Sequence, residues 1–294
     1  MNDVYRAPAK VNLHLAITDV LDDGYHTLDT SFVYVDVYDE LTITLSDSLQ
    51  VQCSDAALSG EQNLVHQVLS AFQKKYDVKQ GLKVFVDKKI PSQAGLGGGS
   101  SDAASALMAA NHLWGVNCST TALIEFSTPF GADIPCFIFG EASLATGIGE
   151  KLLPYPGQIS EQYIVLAWPG EGVSTVKAFK HYDTNLIHAL TEEKASATVR
   201  ARSDVAAFEL GYNDLELSAI SLCLPLDLML SEMREKSERA WMSGSGSACV
   251  AISHSPEQAH VLANYLQNHS LATWVHVGHF VRYHPLQEKC SIGA

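Results

Sequence analysis

From Ala94 to Ser101 the chain reads Ala-Gly-Leu-Gly-Gly-Gly-Ser-Ser, and four glycines in five positions leave few structures open to it. An ordinary turn needs one or two glycines, to reach positive φ. Four so close together let several backbone N–H groups converge on one point. The segment runs directly into Asp102 to Trp114, whose alanines predict a closely packed helix. The first N–H groups of a helix have no intrahelical partner, and the dipole is positive there. Loop and helix start together predict an anion cradle suited to the phosphates of a nucleotide. Two better-known glycine patterns do not fit. A P-loop needs Lys and then Ser or Thr after its last glycine, whereas Ser100 and Ser101 follow Gly99; a dinucleotide fingerprint begun at Gly95 needs glycine where Ser100 stands. A flexible linker is the plain alternative, and the immediate run into a helix former speaks against it.

Charge limits what such a cradle can serve. The chain has 33 acidic and 19 basic residues, a net charge of −14. With no surplus of Lys and Arg to neutralise phosphates, general nucleic-acid binding and attachment to anionic membranes are poor candidates. Any bound phosphate has to be held by backbone amides and a few placed cations. Apolar residues make up 47% of the 294, ample for one large or two ordinary domains. No apolar run approaches the ~18 residues of a membrane span. The first residues lack the basic-then-apolar layout of a secretory signal. The cysteines at 53, 118, 136, 223, 249 and 290 are scattered with no C-x-x-C pair, so they read as small core residues or bystander thiols and not as a disulfide framework or zinc site. A cytoplasmic protein is expected.

Val11, Leu13, Leu15 and Ile17 alternate as in a strand, as do Leu41, Ile43 and Leu45, and then Val84 and Val86. Val65, Val68, Leu69, Phe72 and Tyr76 recur at helical spacing. Ser255 to Gln258 combines a capping box with proline at the first helical position, ahead of Val261, Leu262, Tyr265 and Leu266, and a strand-like run from Leu271 to Val281 follows. Two prolines and a glycine between Leu153 and Gln158 mark the best boundary, so residues 1–156 and 157–294 are expected to form two domains. Strands and helices interleave without strict βαβα order, which predicts an α+β fold.

Lys10 and Asn12 fall on the strand face opposite Val11 and Leu13. A lone strand lysine is ordinarily solvated, yet an ammonium near a partly buried carboxylate is also how a hydroxyl nucleophile is deprotonated or oriented. The candidate carboxylate is Asp133, among the apolar residues of Phe130 to Phe137, where capping a helix or turn is the competing role. A second glycine-rich segment, Met242 to Val250, suits either close backbone approach to a ligand or a plain hairpin loop. His276, His279 and His284 cluster near the end, but without an HExxH pattern and in a strand-like setting they do not predict a metal site.

The lysine strand, the glycine loop and the late glycine-rich segment, in this order, resemble the GHMP kinases, the family of galactokinase, homoserine kinase and mevalonate kinase. The match carries through Ala7 to Leu13, Asp23 to His26, Ala94 to Ala104, Gly131 to Pro135, Gly147 to Glu150, Gly172 to Thr175, Asn213 to Glu216 and Ser243 to Ala248, nearly the whole chain in order. The glycine loop alone indicates the superfamily. Lys10 to Leu13 and Gly24 to His26 point within it to the branch whose acceptor is a cytidine-diphosphate-linked polyol.

That resemblance implies a ribosomal-S5-like N-terminal domain paired with a ferredoxin-like C-terminal domain. It implies a kinase of the non-mevalonate isoprenoid pathway that moves the ATP γ-phosphate to the 2-hydroxyl of a cytidine-diphosphate-linked methylerythritol. It places the catalytic pair on Lys10 and Asp133, and the ATP loop on Pro91, Ser92, Gln93, Ala94, Gly95, Leu96, Gly97, Gly98, Gly99, Ser100 and Ser101. The acceptor falls on Asn12, Tyr25, His26 and an aromatic placed at Phe179, with Tyr182 as the alternative; aromatics can stack on a base while a histidine reads its edge. Magnesium is expected with ATP, with Ser100 or Ser101 in reach of it, and no acidic metal ligand is assigned. Two other readings stay open. A homoserine- or mevalonate-type kinase would have no use for Tyr25 and His26, and a catalytically silent binding protein would be expected to have lost Lys10, Asp133 or the loop.

Overall fold

The computed structural model describes residues 3–22, 24–159, 161–186 and 209–287; Asp23, beside the Gly-Tyr-His motif, and Cys290 lie outside the described residues. β1 (Asp3–Val20) and β2 (His26–Ser46) form one long antiparallel hairpin. Sequence alternation marks only the end of β2. Its first part is largely covered on both faces, so apolar and polar residues need not alternate there.

Three irregularities interrupt the β1–β2 register, at Pro8/Ala9, Asn12/His14 and Ile17/Asp19. The second one resets the alternation, because a bulge adds one residue to a strand. The face carrying Lys10 and Asn12 therefore continues at Leu15. Val11, Leu13, Leu15 and Ile17, expected on one face, divide between two cores: Val11 and Leu13 in one, Leu15 and Ile17 in another.

β3 (Gln50–Cys53), helix α1 (Leu64–Lys75) and β4 (Gly81–Asp87) follow, with β3 parallel to β4 and β4 antiparallel to the end of β2. Helices α2 (Gly98–Leu113), α3 (Thr120–Ser127) and α4 (Ile134–Phe139) pack with α1 on this sheet around Tyr34, Leu69, Phe72, Leu107 and Phe137. α2 is buried along most of its length, which accounts for its alanines: small side chains let it lie close to α1, α4 and β1 at once. β5 (Ser143–Gly147) and β6 (Lys151–Pro154) complete the first half.

The second half comprises β7 (Tyr163–Trp168), α5 (Thr175–His181), α6 (Glu216–Leu222), α7 (Leu224–Lys236), β8 (Arg239–Met242), β9 (Cys249–Ser253), α8 (Pro256–Asn268) and β10 (Trp274–Val281). Its strands run antiparallel in the order β10-β7-β9-β8 around a second core that includes Val165, Met229, Met233 and Leu262. Ser255 caps α8 as its motif predicts, its hydroxyl accepting from the Gln258 N–H at 3.3 Å. β10 starts later than the apolar run because the N–H groups of Leu271 and Ala272 still close α8, both bonding to the Leu266 carbonyl. β10 also pairs with β2, through Phe280 with Val35 and Val281 with Tyr34, so one sheet path runs through both halves. A third core fills the junction, with Val11, Val33 and Val35 from one half and Ile164, Trp241 and Val250 from the other. Among the described residues no helix is long and apolar enough to cross a membrane.

Candidate active site

Gly97 adopts the left-handed conformation (φ 71°) that only glycine takes easily, and it caps α2, which therefore begins at Gly98 and not at Asp102. The bond from the Ser101 N–H to the Gly97 carbonyl, at 2.9 Å, is the first of the helix. The N–H groups of Gly98, Gly99 and Ser100 precede it and are left for a ligand. A Cβ on Gly95 would sit 2.3 Å from the Ser243 carbonyl oxygen, so the early and late glycine-rich segments touch backbone to backbone. Two bonds join them: the Ala248 N–H donates to Ala94 O at 2.9 Å, and the Ser243 hydroxyl to Gly95 O at 3.1 Å. The late segment is thus both of the things its composition allows, the loop of the β8–β9 hairpin and, through Gly244 and Ser245, a wall of the site.

A cavity of about 850 Å³ lies against the loop and the hairpin. It is lined by Lys10, Asn12, Tyr25, His26, Asp133, Phe179 and the loop residues Pro91 to Gly95 and Gly97 to Ser100. Leu96 and Ser101, both expected in the ATP loop, do not reach it. Leu96 belongs to the junction core, and Ser101 is buried with a hydroxyl that has no partner among the described residues.

Lys10 differs from a solvated strand lysine, with 3% of its surface exposed. Its Nζ donates to Asn12 Oδ1 at 2.6 Å, lies 3.6 Å from Asp133 Oδ2 and sits 5.4 Å from the centre of the Phe32 ring. Asp133 occupies the N-cap position of α4, the competing role, yet its carboxylate makes no capping bond and its side chain stays 38% exposed. At the start of β2, the His26 ring lies 4.7 Å from Phe179 and meets Tyr182 edge-on at 6.4 Å. Phe179 lines the cavity and Tyr182 does not. His26 Nε2 bonds to Asp183 Oδ1 at 2.7 Å, a partner that sequence reasoning missed; its one signal was its place a helical turn beyond Phe179. Tyr25 also lines the cavity, from an exposed position. The Thr175 and Ser245 hydroxyls, 2.8 Å apart, tie the start of α5 to the late glycine loop.

A second cluster unannounced by the sequence supports the loop. The Lys88 ammonium bonds to Asp102 at 2.7 Å and to Asp39, whose carboxylate also accepts from the Ile90 N–H at 2.9 Å. Two buried carboxylates share one cation. Burial pushes the Asp102 carboxyl up to about 7 against the pull of Lys88, and the nearby Asp39 pushes the same way as burial. Burial acts to lower the Lys88 pKa, but the two carboxylates more than offset it and hold the ammonium above its usual range. A Cβ on Gly98 would lie 3.2 Å from Lys88 Nζ, so this cluster fixes α2 at the point where the cradle begins. The side chains of the three late histidines take separate partners, although the His279 N–H also donates to Asp36. His276 bonds to Asp36 at 3.1 Å, His279 packs against Tyr163, and His284 lies 3.3 Å from the Ser105 hydroxyl.

Residues 63–141 match the family model described as the GHMP kinases N terminal domain, and residues 199–270 that of the GHMP kinases C terminal. A protein of Desulfitobacterium hafniense (strain Y51) named 4-diphosphocytidyl-2-C-methyl-D-erythritol kinase is 37% identical over 278 residues, covering 92% of this chain and 93% of that one. One of the same name from Acidovorax sp. (strain JS42) is 35% identical over 281 residues, covering 92% of this chain and 96% of its own. Among solved structures, a 4-(cytidine 5'-diphospho)-2C-methyl-D-erythritol kinase superposes with a TM-score of 0.75 at 29% identity, covering 95% of this chain and 99% of that one. The mevalonate kinase of Methanococcus jannaschii shares the fold, with a TM-score of 0.69 at 12% identity over 96% of this chain and 99% of its own.

Proposed function

The chain belongs to the GHMP kinase family, and we propose that it transfers the γ-phosphate of ATP to the 2-hydroxyl of 4-diphosphocytidyl-2-C-methyl-D-erythritol. The observation that carries this reading is His26, held between Phe179 and Asp183 in the same cavity as Lys10 and Asp133. Phe32, the partner of Asn12, stands six positions beyond His26 along β2. At about 3.4 Å per residue that is roughly 20 Å of strand. An acceptor with a cytosine at one end and the reacting hydroxyl at the other uses that length. A small acceptor leaves the His26 end idle.

Phe179 offers a base its aromatic face, and His26, oriented by Asp183, reads the edge, with Tyr25 at the rim. The ATP phosphates lie against the N–H groups that open α2. Asp133 takes or orients the hydroxyl proton, and Lys10, 3.6 Å away, faces the charge that develops on the transferred group. Phosphoryl transfer is mostly positioning and charge stabilisation, which a buried ammonium and preset N–H donors supply. The hard oxygens at the site, the Ser100 hydroxyl and the Asp133 carboxylate, fit magnesium that ATP brings on its phosphates, where the ion would neutralise charge. We place the division between the two domains after residue 156, past the end of β6, and the reaction in the cytoplasm with its ATP pool.

The test offers the protein ATP with the diphosphocytidyl acceptor, homoserine, mevalonate and galactose in turn, and follows ADP release. Turnover of the diphosphocytidyl compound alone is expected. Turnover of a small acceptor in its place overturns the assignment of substrate but not of reaction type, and no turnover with any of them removes both.

A further inference from the structure

We propose that Thr30 is a positioning residue for Lys10, acting through the Asn12 side-chain amide; the inference rests on the catalytic role given to Lys10 above. Thr30 has no exposed surface, and Asn12 and Lys10 are 2% and 3% exposed, so their polar atoms must find partners inside the protein. The Thr30 hydroxyl has one proton. It goes to the His14 carbonyl, 2.5 Å away, a group that can only accept. Toward Asn12, 2.8 Å away, the same oxygen can then only accept, so the amide nitrogen must face Thr30 and Oδ1 must face Lys10.

A flipped amide would set its NH2 against the ammonium and its oxygen against a hydroxyl whose proton is engaged elsewhere. Two hydrogen bonds would be exchanged for two mismatches in a buried place. The backbone of Asn12 is held as firmly. Its N–H donates to Ser243 Oγ at 3.2 Å, and its carbonyl accepts from Trp241 Nε1 at 2.8 Å. Every polar group of Asn12 is therefore engaged, and Oδ1 is a fixed anchor 2.6 Å from the ammonium. The relay sits at the β1–β2 bulge between Asn12 and His14, where the ladder is irregular. A charge stabilises a transition state most when it needs no reorganisation at the moment of reaction. Thr30, itself among the residues around the cavity, supplies that condition to Lys10 through the Asn12 amide.

Thr30→Val keeps the shape and removes the hydroxyl. Its kcat should fall about tenfold to a hundredfold, the cost of a misplacement near 1 Å, with the KM for ATP within about twofold of wild type. Thr30→Ser should recover most of the lost rate. In an Asn12→Ala background Thr30→Val should add no further loss, because it acts through that amide. A full further loss in that background, or a raised acceptor KM with kcat kept, overturns the relay. Should Thr30→Val not fold, Thr30→Ala removes the same hydroxyl without the added methyl. A crystal structure of the variant keeps this proposal separate from the assigned reaction. An Asn12 amide turned away from Lys10 supports the relay whichever acceptor is used, and an unchanged contact overturns it. A wild-type protein inert toward the diphosphocytidyl acceptor counts against the assigned reaction alone.

Discussion

Gly99 is the loop glycine whose missing side chain faces open space. A Cβ at Gly97 would press on Phe137 and Lys10, and one at Gly98 on Ile90 and Lys88, whereas one at Gly99 meets no atom within 4 Å. Substitution at the first two disturbs the protein itself. At Gly99, which lines the cavity, it disturbs what enters. Gly99→Val should weaken binding of a non-hydrolysable ATP analogue by about 1–3 kcal/mol, roughly tenfold to a hundredfold, the range for inserted bulk in a fitted site. Its melting temperature should match wild type. Calorimetric titration checks this, and an unchanged affinity would put the phosphates elsewhere. Asp133→Asn should cut kcat about 10²–10⁴-fold, the usual span for a lost general base, with both substrates still bound. Lys10→Ala should cost a comparable factor, and the double variant should be little slower than the slower single one, because the two groups act on one transfer. ADP release rates decide it: losses that multiply would give the residues separate jobs.

Two elements far apart in the chain make the acceptor end, the β1–β2 hairpin with His26 and the α5 region with Phe179 and, 157 positions from His26, Asp183. His26→Ala should raise the KM for the diphosphocytidyl substrate by about 1–3 kcal/mol, roughly tenfold to a hundredfold, and leave that for ATP nearly unchanged. Steady-state kinetics with each substrate varied would show it, and equal effects on both would make His26 structural. These elements also show where sequence reading stops. The glycine loop, the Ser255 cap and the helix over 64–75 were legible because their signals lie in consecutive residues. The bulge after Asn12 was not, since only the partner strand reveals the extra residue. Thr30 acts across a contact between distant segments, and nothing beside it in the sequence marks it; Ser243 stands in the late glycine-rich segment and Asp183 a turn beyond Phe179, but their partners, Asn12 and His26, are set only by the fold. Asp102 reads locally as an acid opening a helix, and its pairing with Lys88 depends on the loop after β4 folding back on α2.

Across the whole molecule the chain closes on itself. After β10 it returns to the first half, where the His284 N–H donates to Gly140 O at 2.8 Å and the ring sits edge-on to Tyr34. His284 Nδ1 accepts from the Leu286 N–H at 3.2 Å, so the neutral ring carries its proton on Nε2, facing Ser105. Burial pushes the imidazole pKa down to about 3. The unfolded chain takes up that proton near pH 6.5, so the stabilising contribution of His284 is complete above about 6.5 and is lost as pH falls, at about 1.4 kcal/mol per unit. Asp102 has the opposite sign. Its carboxyl titrates at about 7 in the folded protein, and its unfolded pKa is near 4, so its contribution declines as pH rises through that interval. An acid-unfolding curve mixes the two, and the difference between wild type and His284→Gln isolates the first. The variant should be the less stable at pH 7.5, from lost packing. The gap should narrow below pH 6.5, by about 2 kcal/mol at pH 5, because only wild type carries a group whose protonation folding opposes. Urea unfolding at the two pH values measures it. A constant gap would mean that the segment around His284 opens and takes up its proton without cost to the rest of the fold.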